Sequence, residues 1–504
     1  MKKYFSRLFL LAAMGSSMLF TSCEKTDTSN PVLKPDMMFY GLSNANQLIR
    51  YNANASQTAM STTAITGLAG SEKIVGIDFR PATGQLFGVS SGSRLYVINP
   101  ETGAATAVGT AAFTPALNGN LVGFDFNPTV DRIRLVTSSG QNLRLNPETG
   151  GVAATDAALN PGAPAVMAAA YTNSMAGATT TTLYDIDIVS GKLYKQDPPN
   201  NGTLVEVGSL GMTSEAGKDG GFDISPDNSV ALASFGMGTD AGLYQVDLST
   251  GKATDLGKLS TAIIGLAIPS APVAYAIDNA NNLQIFNFLS STAPVSKPIT
   301  GLQSGENILG VDMRPATGQL FALGSTSRLY TLNTSTGAAT VVGTAPFAPQ
   351  LAGTTFGFDF NPTVDRIRLV SNTGQNLRLN PVDGTTSAID GGLNPGMPAV
   401  SGAAYTNNFA GATTTVLFDI DATTDKLYTQ APPNNGTLVE VGNLGAEITA
   451  ENGFDIGGTS GKAYALLTVA GSTRLYSVNL TSGAATMLMN YPNATRGLAI
   501  GLGF

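Results

Sequence analysis

The feature that most constrains this chain is that it superposes on itself. A shift of 234 residues carries "RPATGQLF" at 80–87 onto 314–321, "GFDFNPTVDRIRLV" at 123–136 onto 357–370 and "PPNNGTLVEVG" at 198–208 onto 432–442. The chain is a tandem duplication, with copies at about 38–269 and 272–504, so the architecture of one copy is expected twice. A weaker period of about 45 residues runs inside each copy, clearest in "IVGIDFRPATGQLFGVSSGSRLYVINPETGAATAVG" at 74–109. This segment reads as four short strands split by Pro-x-Thr-Gly turns. Proline presets φ at the first loop position, and glycine accepts positive φ at the last. Asn99 and Asn146 precede such turns and can hydrogen-bond back to the loop amides. The 58 glycines, with no collagen-like period, fit a chain of many turns.

Four antiparallel strands in about 45 residues is the signature of a β-propeller blade. The fold class is therefore all-β, with five blades per copy. The first blade uses "MFYGLSN", "NQLIRYN" and "TTAITGL" and lacks an innermost strand; the next four begin near Ile74, Leu121, Val166 and Gly221. Each copy ends in an orphan strand, "IIGLAIP" at 263–269 and "RGLAIGLGF" at 496–504. A missing inner strand at the start and a spare one at the end is how a propeller closes its ring and removes its open edge. Two five-bladed rings are the expectation; one ten-bladed ring is the alternative, because the junction "IIGLAIPSAPVAYAIDN" is short and resembles an ordinary inner hairpin.

Residues 1–22 read as an export signal. Lys2, Lys3 and Arg7 precede an apolar run at 8–20, and Thr21 and Ser22 lead into Cys23. Cys23 is the only cysteine, and its place resembles a bacterial lipoprotein signal, cleaved before a cysteine that carries the lipid; an ordinary signal peptide is the alternative. Residues 23–37, polar with two prolines, read as a tether. The expected localisation is an exported protein, lipid-anchored to the envelope, with the outer membrane as the expected compartment.

Net charge is −8, and −11 once the signal and its three cations are removed, so nucleic acid is not an expected partner. The chain has no histidine, which excludes Ser-His-Asp triads, Cys-His pairs and histidine-ligated metals.

The charged motif "GFDFNPTVDRIRLV" reads as an inner hairpin with loop 128–131, in which Asp131 takes the glycine position. The implied register sets Asp125 opposite Arg134, and Asp359 opposite Arg368 in the second copy. Arg144 and Arg378 lie on the next strand. The blander expectation is a buried ion pair, Asp125 with Arg134, in the gap between blades. The sharper one is an anion site at the channel formed by Asp125, Arg132, Arg134 and Arg144, and by Asp359, Arg366, Arg368 and Arg378. A second pattern is an inner-strand aspartate in three blades per copy: Asp78, Asp125 and Asp223, then Asp312, Asp359 and Asp455. Each carboxylate is expected to cap its neighbouring turn amides; a calcium site is the alternative. Tyr171 and Tyr405 are expected to pack between blades.

The segments "GIDFRPATGQLF", "GFDFNPTVDRIRLV", "TGQNLRLNP", "AAYTN", "TTTLYDID" and "PPNNGTLVEVG" together resemble the bacterial domain-of-unknown-function family 4394, over nearly all of 38–504. The resemblance implies an exported β-propeller and brings over no catalytic residue. On function, the expectation is a non-catalytic binding or scaffold lipoprotein that contacts an envelope protein, a glycan or a small anion through propeller faces. The alternative is a hydrolase or lyase working through carboxylates and arginines. An open pocket around Asp125 and Arg134 would favour the enzyme; a dry, paired contact would favour the scaffold.

Overall fold

The computed structural model describes residues 33–211, 219–236 and 240–504. The signal and Cys23 lie outside them. From Pro35 onward the chain is one compact unit built of ten four-stranded antiparallel sheets. Among the described residues no helix is long and apolar enough to cross a membrane.

In the first copy, blade 1 comprises Met38–Ser43, Gln47–Asn52 and Ser61–Ala64, and its innermost strand is Ile263–Ala267 from the end of the copy. Blades 2 to 5 run in chain order from their inner strands Ile74–Phe79, Val122–Asn127, Val166–Tyr171 and Gly220–Ile224. Those five inner strands touch one another in a closed cycle. The second copy does the same. Thr495–Ile500 pairs with Ala274–Asp278 to complete blade 6, and inner strands Ile308–Arg314, Phe356–Asn361, Val400–Tyr405 and Ala450–Ile456 of blades 7 to 10 complete the cycle. The protein is therefore two five-bladed rings, each fastened by its own last strand. The ten-bladed alternative fails because Ile263–Ala267 pairs back to Met38–Ser43 and not forward into the second copy.

The cores follow from this geometry. Each blade is apolar on both faces, so the buried clusters lie between neighbouring blades; Phe87, Phe124, Phe126, Ile133 and Leu135 fill the gap between blades 2 and 3. Turn chemistry is as the sequence implies. Asn99 Oδ1 accepts from the amides of Glu101 and Thr102 at 3.0 Å each, and Gly84 sits at φ 73°. Asp131 holds the equivalent place at φ 51°, and Asp365 at 52°.

The two rings meet. Tyr275 donates to the Ala82 carbonyl at 2.8 Å, Gln319 to Glu148 at 2.9 Å, and Arg80 to the Gly318 carbonyl at 3.3 Å. The ring of Phe504 lies against Gly84, where a side chain would collide with it. Beside this contact is a cleft of about 350 Å³ whose walls include Leu86, Ile98 and Pro100 of the first ring and Phe409 and Leu502 of the second.

Candidate functional site

Inner strands converge on each ring axis, and with five blades they come very close. A methyl group on Gly123 would sit 2.8 Å from the Ala169 backbone nitrogen of the next blade, and one on Gly357 2.8 Å from that of Ala403. Two residues further along the same strand, and so on the same face, stand Asp125 and Asp359. The short pattern Gly-x-Asp thus has one physical meaning. Glycine lets the next inner strand approach, and the aspartate reaches across to its amide.

The aspartates do accept from backbone amides, but from those of the next inner strand and not, as expected, from their neighbouring turns. Asp78 accepts from Phe126 N of blade 3 at 2.7 Å, Asp125 from Tyr171 N of blade 4 at 3.0 Å, and Asp223 from Ile268 N beyond the closing strand at 2.6 Å. Asp312, Asp359 and Asp455 repeat this with Phe360, Tyr405 and Ile500. Asp78, Asp223, Asp312 and Asp455 also accept from the amide that follows them, which occupies their second oxygen. All six are buried. One oxygen from each member of a trio lies within 4.8 Å of the others. Burial pushes every one of these carboxyls upward, and their mutual repulsion pushes Asp78, Asp125, Asp312 and Asp359 further. Asp223 and Asp455 are raised by burial to about 7, against the pull of their amide donors.

The arginine motif is arranged differently from the expectation. The register is as predicted, with Asp125 opposite Arg134 and Asp359 opposite Arg368. The ion pair is not. Arg134 Nη1 bonds Asp156 at 2.7 Å and Asn142 Oδ1 at 2.7 Å, Nη2 bonds Asn200 Oδ1 at 2.8 Å, and Nε bonds the Tyr171 hydroxyl at 3.3 Å. Arg368 makes the same contacts with Asp390, Asn376, Asn434 and Tyr405. The long guanidinium stem carries the charge past the opposite residue toward the outer strands, while the short Asp125 side chain is taken by the backbone of blade 4. Arg144 stands directly opposite Arg134, an arrangement that repels. Asp156 resolves it by holding Arg144 bidentately at 2.8 and 2.9 Å as well. Burial raises Asp156, but the hydrogen bonds from Arg144 and Arg134 outweigh this and hold it below the ordinary range. Arg378 and Asp390 repeat the fork. Arg132 and Arg366 do not join these networks: each donates to the carbonyl of the preceding aspartate at 2.8 Å. The network therefore lies in the gap between blades 3 and 4, and between 8 and 9. Tyr171 and Tyr405 belong to that gap, bonded as well as packed.

Sequence reasoning missed Asp156, Asn142 and Asn200, because spacing reveals strand partners and not residues that arrive from a loop. It also missed Asp185 and Asp419. These are fully buried mid-strand, and among the described residues neither oxygen of either one has a hydrogen-bond partner. Burial raises both to about 8, with partial relief from Arg134 or Arg368. The available signal was an aspartate inside the apolar strands "LYDID" at 183–187 and "LFDID" at 417–421.

No curated protein matches the chain. Among solved structures it is similar to the extracellular domain of BT4673 from B. thetaiotaomicron, at 12% identity over 91% of this chain and 59% of that one, with a TM-score of 0.25. It is also similar to the Dos1 propeller, at 11% identity over 65% and 83% with a TM-score of 0.26. PorZ, a surface component of the type-IX secretion system of Porphyromonas gingivalis, matches at 14% over 91% and 58% with a TM-score of 0.25. The chain thus spans about 59% of the length of the first of these structures. The model of a family described as "Domain of unknown function (DUF4394)" matches residues 47–267 and again 282–499, one match for each ring, and the chain belongs to that family in two tandem copies.

Proposed function

We propose that this is a non-catalytic binding or scaffold protein, carried on the bacterial envelope by a lipid on Cys23. The observation that supports it is the state of the shared charged motif. Arg134 and Asp125 are each only 2% exposed, and Arg134 has committed four of its five N–H donors to protein groups. A guanidinium so engaged has little left with which to bind a substrate. The hydrolase or lyase reading needs this chemistry in an open pocket, and the open cleft between the rings has no charged residue in its walls. Broad loop-built faces and that cleft then serve as contact surfaces for an envelope protein, a glycan or a small ligand.

Two measurements test this reading. In cells of a bacterium that processes lipoproteins, the native chain should fractionate with membranes and Cys23→Ser should move to the soluble fraction; unchanged membrane retention would overturn the anchor. Purified protein incubated with acidic polysaccharides should release no new reducing or unsaturated ends. Release that disappears in Arg144→Gln, a variant at the partly exposed end of the network, would overturn the non-catalytic reading.

A further inference from the structure

We infer that each ring binds a calcium-type cation on its axis, held by Asp78, Asp125 and Asp223 in the first ring and by Asp312, Asp359 and Asp455 in the second. This goes beyond the scaffold reading and does not depend on it.

Geometry comes first. Three carboxylate oxygens per ring lie within 4.8 Å of one another, twice a calcium–oxygen distance of about 2.4 Å. A point central to them is at most about 2.8 Å from each oxygen, so small side-chain shifts bring all three to the calcium–oxygen range of about 2.3–2.6 Å. The amide bonds do not compete with this. They fix each carboxylate's orientation, and an oxygen that accepts one N–H keeps a second lone pair for a metal.

Charge is the second consideration. The arginine that the sequence sets opposite Asp125 is committed to Asp156, and among the described residues none of the six aspartates takes part in a salt bridge. Three buried carboxylates converge with no cationic side chain to offset them, which is costly unless protons or a metal supply the charge.

The third and independent observation is unpartnered oxygen. Asp359 is 1% exposed; its Oδ1 accepts from Tyr405, and its Oδ2 accepts from nothing. Asp419 has both oxygens in that state at 0% exposure. It stands opposite Ala403, whose Cβ faces Gly357 of blade 8, so its side chain enters the same gap as Asp359. Buried polar atoms are normally satisfied; the unpartnered Asp359 Oδ2 belongs to a member of the second trio, whereas Asp419 has the charge of Arg368 near it.

The ion class follows from the donors. They are all oxygen, which excludes metals that prefer nitrogen or sulfur. The three carboxylates of a trio come from three different blades, so the shell they offer is irregular. Calcium tolerates such an irregular shell, whereas magnesium demands a near-octahedral one and keeps several waters.

The test is a metal count on the full mature chain after calcium loading and dialysis at moderate salt. About two calcium ions per chain are expected from two trios. Asp125→Asn should retain about one, since Asn keeps the acceptor for Tyr171 N but removes a charge. Asp125→Asn with Asp359→Asn should retain none, or bind at least tenfold more weakly by calorimetry. A wild-type ratio near zero, with no heat on adding calcium, magnesium or manganese, overturns the inference, and so does a ratio near two that persists in the folded double variant. Where that variant does not fold, the wild type decides: a ratio near two with a melting temperature reversibly lowered by EGTA supports the site, and a ratio near zero overturns it.

Discussion

At the residue scale, two arginines two positions apart on one strand have different fates. Arg134 is buried in a network that reaches Asp156, Asn142 and Asn200, and Arg132 bonds only the carbonyl of Asp131. Removing Arg134 leaves the Asn142 and Asn200 oxygens without that donor, while Asp156 keeps its fork with Arg144. Arg134→Ala should therefore cost about 2–4 kcal/mol in denaturant unfolding, and Arg132→Ala less than about 1 kcal/mol. Equal losses would mean that the network is not the stabilising element. Asp185 and Asp419 carry a pH signature. Their carboxyls are raised from the ordinary 3.8 to about 8, so the folded state holds protons that the unfolded state releases. That contribution is complete below about pH 4 and is lost as pH rises toward about 8. In calcium-free buffer the protein should thus unfold more readily at pH 8 than at pH 5. Asp185→Asn with Asp419→Asn should reduce that difference, the remainder belonging to the six raised inner-strand aspartates, and a slope unchanged in the variant would remove these two residues as a source. Arg134's strand partner was legible from the sequence by counting along a hairpin. Its charge partner was not, because Asp156 comes from a separate segment, and only the folded gap between blades brings it there.

At the scale of the element, the hairpin loop at 128–131 shows how one residue serves two demands. A positive φ at Asp131 favours glycine, yet the aspartate stays because its carboxylate is gripped by Arg80, with Nε at 2.9 Å and Nη2 alongside. Arg80 is 1% exposed. Asp131→Gly should relax the backbone but leave that guanidinium with only Glu148 at 3.6 Å and the Gly318 carbonyl at 3.3 Å, for a net loss of about 1–3 kcal/mol. Asp365→Gly should cost clearly less, because the side chains of Arg314 and Asp365 are 15% and 34% exposed. Matching losses from the two would show that burial is not what separates them. Blades, turns and the Asp131 conformation were readable in advance from alternation and turn chemistry. The Gly-x-Asp pattern was visible, but its meaning was not. Close approach of inner strands depends on how many blades share the axis, a property of the ring and not of one blade.

At the scale of the whole molecule, each ring is closed by a strand from its own copy, so each should be a folding unit. Residues 35–270 alone should give a cooperative, monomeric unfolding transition, while deleting 495–504 from the full chain should open the second ring by removing the inner strand of blade 6 and the amide that Asp455 uses. A first half that is unfolded, or an intact second transition after the deletion, would contradict closure by the last strand.

The sequence by itself determined the blade, its count and the doubling, because those rest on local alternation, local turns and exact repetition. Tertiary structure alone decided between two rings and one, which carboxylate meets which arginine, and that three aspartates spread over nearly 150 residues share one axis. The physical reason is the same in each case. Backbone patterns are set by neighbours along the chain, whereas buried charges are set by whichever groups the closed ring places within reach.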